Sequence, residues 1–177
     1  MNTESKNMDM LSKTQPSFRE GVTEFEKHLS LQEEAFFGDS EYCPLKHSFS
    51  DGIYVREIAI PEGTYIVGKL HKHSHPNFLL SGTVDVVTEF GKETLTGPLS
   101  MISEAGTKRA LHAITPLVWI TVHANPTNTQ DLKELEKIVI ADSYEEYESF
   151  IASKGQNKLI GFIKKLFKKG GIFCHGF

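Results

Sequence analysis

Residues 68–82 read Gly-Lys-Leu-His-Lys-His-Ser-His-Pro-Asn-Phe-Leu-Leu-Ser-Gly, with histidines at three alternate positions, His71, His73 and His75. Alternate residues of a β-strand project from the same face of a sheet, so a strand here would place the three imidazoles side by side. Imidazole nitrogens in that arrangement can share one divalent ion. The alternative is an exposed edge strand whose histidines face water, and the triplet alone leaves both interpretations open.

The sequence around this triplet, from 52 to 124, consists of short β-branched and apolar runs separated by Gly and Pro. The predicted strands are 53–60, 64–73, 78–80, 83–90, 93–95, 99–103, 109–114 and 117–123. No helical pattern intervenes, which excludes a parallel βαβ sheet. The pattern predicts an antiparallel sandwich or barrel.

Glycines lie on both sides of the histidines. Gly63 or Gly68 precedes His71-Lys-His73, and Asn77 and Gly82 follow it. A second segment, Glu104-Ala-Gly106-Thr-Lys-Arg109, lies between two predicted strands. With these residues the sequence resembles the cupin superfamily over roughly residues 44–124. The resemblance implies an all-β core, an antiparallel cupin-type jelly-roll barrel, with an N-terminal arm and short C-terminal helices.

Two positions depart from the cupin motifs. Asn77 stands where the first motif has Glu, and Arg109 stands where the second has His, so two of the four usual ligands are replaced. Asn77 cannot accept a proton at neutral pH, which argues against a conventional cupin enzyme. Further features make the sequence most similar to the small cupins encoded in bacteriophage genomes: Cys43-Pro44, Gly52-Ile-Tyr, Pro61-x-Gly63 and Val118-Trp119.

The strand directions of such a barrel predict which other residues join the histidines. The strand 117–123 returns to the same mouth, so His123 can join His71 and His73 as a metal ligand, with His75 and Asn77 as candidates at the rim. The alternative for His123 is a strand-end histidine that faces solvent. These ligands would suit Zn, Fe(II), Mn or Ni and do not choose among them.

Arg109 is the candidate for binding a small anionic molecule near the histidines. Its planar guanidinium matches the two oxygens of a carboxylate. The alternative is an ion pair with Glu104 or Glu57. No catalytic residue can be assigned from the sequence.

The domain organisation has three predicted parts: 1–43, an N-terminal arm that is either solvated or ordered by a partner; 44–126, the barrel; and 127–177, a helical segment. Gly155 is expected to break that segment, and 157–169 to form a basic amphipathic helix. Residues 151–177 contain six lysines and no acidic residue. Because the net charge of the whole chain is −4, residues 1–150 carry a net charge of −10. The helix can dock on a partner or sister subunit, lie on a membrane surface, or pack on its own barrel.

Two functions follow from these features. The leading hypothesis is a phage-type, homo-oligomeric binding and assembly module without catalytic activity. It would attach to a larger assembly such as a virion through its terminal segments, with 157–177 contacting the protein partner. The alternative is a metal-dependent enzyme, dioxygenase-like or isomerase-like, acting on a small oxygenated or carboxylated substrate.

The net negative charge of residues 1–150 disfavours binding to nucleic acid. Residues 1–13 lack the apolar core of a secretory signal, so we expect a cytoplasmic or virion protein.

Overall fold

The computed structural model describes residues 17–36 and 39–168, without the side chains of 156–159 and 161–168. Its described residues form two antiparallel sheets and a separate strand pair. The first sheet has the order β1 (Leu45–Ser50), β2 (Ile53–Ile60), β10 (Leu117–Ala124), β5 (His75–Ser81) and β8 (Leu99–Ser103). The second has the order β3 (Tyr65–Val67), β9 (Ala110–Ala113), β6 (Thr83–Thr88) and β7 (Gly91–Thr96). The pair consists of β4 (Leu70–His71) and β11 (Ile140–Ala141).

This architecture confirms the predicted all-β core and antiparallel jelly roll. The inner faces of the two sheets meet in a core of Ile60, Leu79, Val84, Val86, Ala113, Leu117 and Trp119. Strand β10 shows how the core leads to the site, because its buried positions alternate from Leu117 through Trp119 and Thr121 to His123. The apolar core therefore fills one end of the barrel, and polar side chains face inward at the other.

The prediction of one continuous strand at 64–73 is wrong. The chain leaves β3 at Val67, forms the two-residue β4, turns at 72–74 and starts β5 at His75. Strands β1 and β11 were not predicted. Strand β1 alternates half-buried and exposed residues but carries His47 on its inner face, so its apolar signal is weak.

Three helices accompany the strands among the described residues: α1 (Phe18–Ser30), α2 (Leu132–Val139) and α3 (Tyr144–Lys168). Helix α1 begins with a capping box between Ser17 and Glu20, buries Val22 and places Phe25 edge-on against Tyr65 at 6.3 Å. This part of the predicted arm thus packs on the barrel.

Helix α3 runs through Gly155, so the predicted break there is wrong. A single glycine costs a helix interior only about 1 kcal/mol relative to alanine, which the flanking turns can offset. The helical backbone continues through 157–168. Of the side chains that would form the predicted amphipathic face, Ile160 is described and is exposed, and the others lie outside the described residues. Residues 1–16, 37–38 and 169–177, including Cys174, lie outside them as well. No described helix is long and apolar enough to cross a bilayer.

Candidate metal centre

Three histidines converge at the polar end of the barrel. His71 ends β4, His75 begins β5 and His123 lies near the end of β10. Their ring centroids are 4.2 Å apart for 71 and 75, 4.5 Å for 75 and 123, and 4.9 Å for 71 and 123. One nitrogen from each ring lies within 4.8 Å of the other two. Three imidazoles at this separation can hold one ion between them.

The backbone explains why these rings meet. Strands β5 and β10 pair with Asn77 opposite Thr121, which brings His75 and His123, two residues farther along, to the same level. The third histidine comes from outside the two sheets. Strand β4 is held by its pairing with β11 and by the Gly106 amide, which donates to the carbonyl of His71 at 2.9 Å.

Hydrogen bonding leaves nitrogen lone pairs free in this cluster. The Nδ1 of His75 lies 3.2 Å from the carbonyl oxygen of His73, which can only accept, so in the neutral ring Nδ1 donates and Nε2 carries a free lone pair. The Nδ1 of His71 is buried and has no hydrogen-bond partner among the described residues. Buried polar atoms are nearly always paired, so this atom marks a position where a ligand is expected.

The electrostatics keep the cluster neutral. Burial, with smaller contributions from the neighbouring histidines and arginines, lowers the pKa of His71 to about 2. Burial, His75 and Arg56 lower the pKa of His123 to about 3, and burial also lowers the pKa of His75. Neutral imidazole is the form that binds metal ions.

His73 does not join the cluster. It lies in the turn between β4 and β5, where its ring meets Phe150 of α3 edge-on at 5.3 Å and its Nδ1 lies 3.3 Å from Nζ of Lys154. The prediction that 71 and 73 share one face of a strand is therefore wrong, because the turn interrupts the alternation.

Asn77 faces inward below His75, and its side-chain amide is fully engaged in hydrogen bonds. Its Nδ2 donates to Oγ of Ser103 at 2.6 Å and to the carbonyl of His75 at 3.2 Å, and its Oδ1 accepts from Nε1 of Trp119 at 2.9 Å. Asn77 is 1% exposed. In this position it links three strands of the barrel wall.

Arg109 lies immediately before β9 on the barrel's inner side. Its guanidinium makes neither of the predicted ion pairs, with Glu104 or Glu57, among the described residues. Its positive charge lowers the pKa of His71 and His75.

Two further residues of the site, both on β2, were not predicted. Tyr54 stacks on His123 with a centroid distance of 5.9 Å, and its hydroxyl lies 2.8 Å from Nδ1 of His47. Arg56 lies two positions along the same face. The alternation of residues along 53–60 could have indicated these two residues, because it places Tyr54 and Arg56 on the same face as Ile58 and Ile60.

The fold has several similar solved structures. Ectoine synthase from P. lautus matches with a TM-score of 0.46 and 14% identity, over 56% of this chain and 75% of that one. KdgF from Halomonas sp. matches with a TM-score of 0.44 and 14% identity, over 57% of this chain and 94% of that one. An RmlC-like cupin with a double-stranded beta-helix fold from Methanocaldococcus jannaschii matches with a TM-score of 0.41 and 14% identity. The match covers 50% of this chain and 85% of that one.

The chain has an antiparallel two-sheet jelly-roll fold. The similarity to these structures is limited to the fold. No protein-family profile matches the sequence, and no curated protein does.

Within this barrel, the donor set of the cluster fits a divalent transition metal. All three donors are neutral imidazoles, and no carboxylate of the described residues joins them. Such a set suits Zn, Fe, Mn or Ni and leaves coordination positions for water or another ligand.

Proposed function

We propose that this chain is a cupin that binds one divalent metal ion through His71, His75 and His123, and that the centre acts on a small oxygenated or carboxylated molecule. The observation that carries the proposal is the buried Nδ1 of His71, which has no hydrogen-bond partner in the described part of the chain and lies within a cluster of three neutral imidazoles. A metal ion would satisfy that atom and would supply a Lewis acid for an oxygen of the bound molecule.

The protein's own residues limit the chemistry that this centre can support. Asn77 occupies the place of a carboxylate, cannot take up a proton, and has its amide committed to Ser103, His75 and Trp119. The cluster therefore offers no carboxylate base among the described residues. This favours binding and polarisation of a ligand oxygen over reactions that need a carboxylate to move a proton.

Elemental analysis of the purified protein, before and after incubation with Zn²⁺, tests the metal centre. We expect one ion per chain in the wild type and its loss in His75→Ala and His123→Ala. His73→Ala is the matched control, because this histidine belongs to the same triplet but lies outside the cluster, and it should retain the ion. A wild type that takes up no ion, or a His73→Ala variant that loses it, would refute the proposed centre.

The binding and assembly role stays a separate prediction. It includes homo-oligomerisation, docking on a protein partner or membrane surface through 157–177, phage origin, and a cytoplasmic or virion location. In its favour, α3 is a continuous helix to Lys168, as helix docking requires.

A further inference from the structure

Two of the three arginines of the chain lie on the inner side of the barrel, where no acidic group of the described residues forms an ion pair with them. Arg19 lies at the surface, where its guanidinium pairs with Glu148 at 2.9 Å. Among the described residues, no ion pair or hydrogen bond reaches the guanidinium of Arg56 or Arg109. Glu136 acts on Arg56 and Glu93 on Arg109 only from beyond ion-pair distance. Among the described residues, neither arginine therefore has the direct carboxylate partner that a partly buried cation normally has.

The two arginines come from opposite sheets. Arg56 shares the inner face of β2 with Tyr54 and Ile58, and pairs in register with Thr121, two residues before His123. Arg109 precedes β9, where its carbonyl accepts the Gly68 amide at 2.8 Å. Alternation places its side chain on the same face as Leu111 and Ala113, which pack in the core.

Both positive charges reach the histidine cluster. Burial lowers the pKa of Arg56 and of Arg109, which reflects the cost of keeping each cation away from water. Arg56 and Arg109 together lower the pKa of His71. Partly buried cations that flank a neutral cluster create a positive potential, which attracts an anion of matching size.

We propose that Arg56 and Arg109 form an anion-binding subsite beside the histidine cluster, and that its ligand is a small dicarboxylate with one carboxylate on each guanidinium. The proposal rests on the function proposed above and specifies its substrate class. A guanidinium can hold a carboxylate through two parallel hydrogen bonds, which gives both charge compensation and orientation. A monocarboxylate would leave one of the two cations without a counter-charge.

Isothermal titration calorimetry with simple carboxylates tests the subsite. Zn²⁺-loaded protein is titrated with acetate, malonate, succinate and glutarate, which differ in charge and in the spacing of their carboxylates. We expect at least one dicarboxylate to bind at least tenfold more tightly than acetate. Arg56→Gln and Arg109→Gln should each weaken that binding at least tenfold, whereas Arg19→Gln should leave it unchanged.

Conservative variants provide a second test in case the glutamine variants fail to fold. Arg56→Lys and Arg109→Lys keep the charge but lose the planar fork, so we expect the chosen dicarboxylate to bind at least threefold more weakly. Affinities equal to the wild type in these folded variants would overturn the subsite, as would a wild type that binds no dicarboxylate more tightly than acetate.

Metal content measured on the same samples separates this proposal from the proposed function. Dicarboxylate binding that depends on both arginines, in a wild type that takes up no ion, would refute the metal centre and support the subsite. One ion per chain, with no preference for any dicarboxylate over acetate, would refute the subsite and support the metal centre.

Discussion

Replacing Asn77 by leucine should destabilise the barrel strongly, because the amide joins buried groups from three strands. Leucine has a similar size but offers no hydrogen bond. Nε1 of Trp119 and Oγ of Ser103 would then lose their partners, and their residues are only 5% and 1% exposed. A buried polar group left unpaired costs about 1–3 kcal/mol, so the two groups together should lower the free energy of unfolding by about 2–6 kcal/mol.

Urea denaturation followed by Trp119 fluorescence measures this loss. With a denaturant dependence of about 2 kcal/mol per molar urea, the expected loss corresponds to a midpoint about 1–3 M lower, at an unchanged slope. The control is Thr121→Val. Thr121 pairs in register with Asn77, and its hydroxyl donates only a long hydrogen bond of 3.5 Å to the Arg56 carbonyl. We expect that variant to lose less than about 1 kcal/mol. If Asn77→Leu changed the midpoint no more than the control does, the structural role assigned to Asn77 would be wrong.

Three other predictions concern pH, packing and assembly. The histidine pKa values of about 2 and 3 in the folded state lie below the unfolded value near 6.5, so His71 and His123 favour folding above pH 6.5 and progressively less as the pH falls. Urea midpoints of EDTA-treated protein should therefore drop between pH 7.5 and pH 5, and a flat profile would contradict neutral burial. Gly106→Ala should lower the melting temperature, since its Cβ would lie 2.5 Å from the ring of Tyr147 and its φ is +80°; an unchanged melting curve would refute that contact. Deleting 157–177 should change the oligomeric state in light scattering or the capture of a partner, and identical behaviour of both forms would count against docking through this segment.

The fold could be predicted from the sequence because its signals are local. Alternation within single strands and the glycine and proline residues between them indicated an antiparallel barrel. The direction of strand 117–123 also indicated that His123 would approach the other histidines, and the structure brings them together.

The details of the site depended on features that alternation does not encode. The turn at 72–74 moves His73 out of the cluster and gives its predicted position to His75. Arg56 was overlooked because a charged residue on the inner face of a strand looks like an interruption of the apolar pattern. Only the pairing of β2 with β10 reveals that it lies near His123.

The origin of the third imidazole has a consequence for the whole chain. His71 is carried by a two-residue ribbon whose partner strand, β11, directly follows α2 and leads into α3. An ion bound by His71 of this ribbon and by the histidines of β5 and β10 would connect the barrel to its C-terminal helices. Chelation would then remove this connection. The amide of Lys72, which donates to the carbonyl of Val139 at 2.8 Å, would exchange with deuterium faster, while Leu79 in the core stays protected.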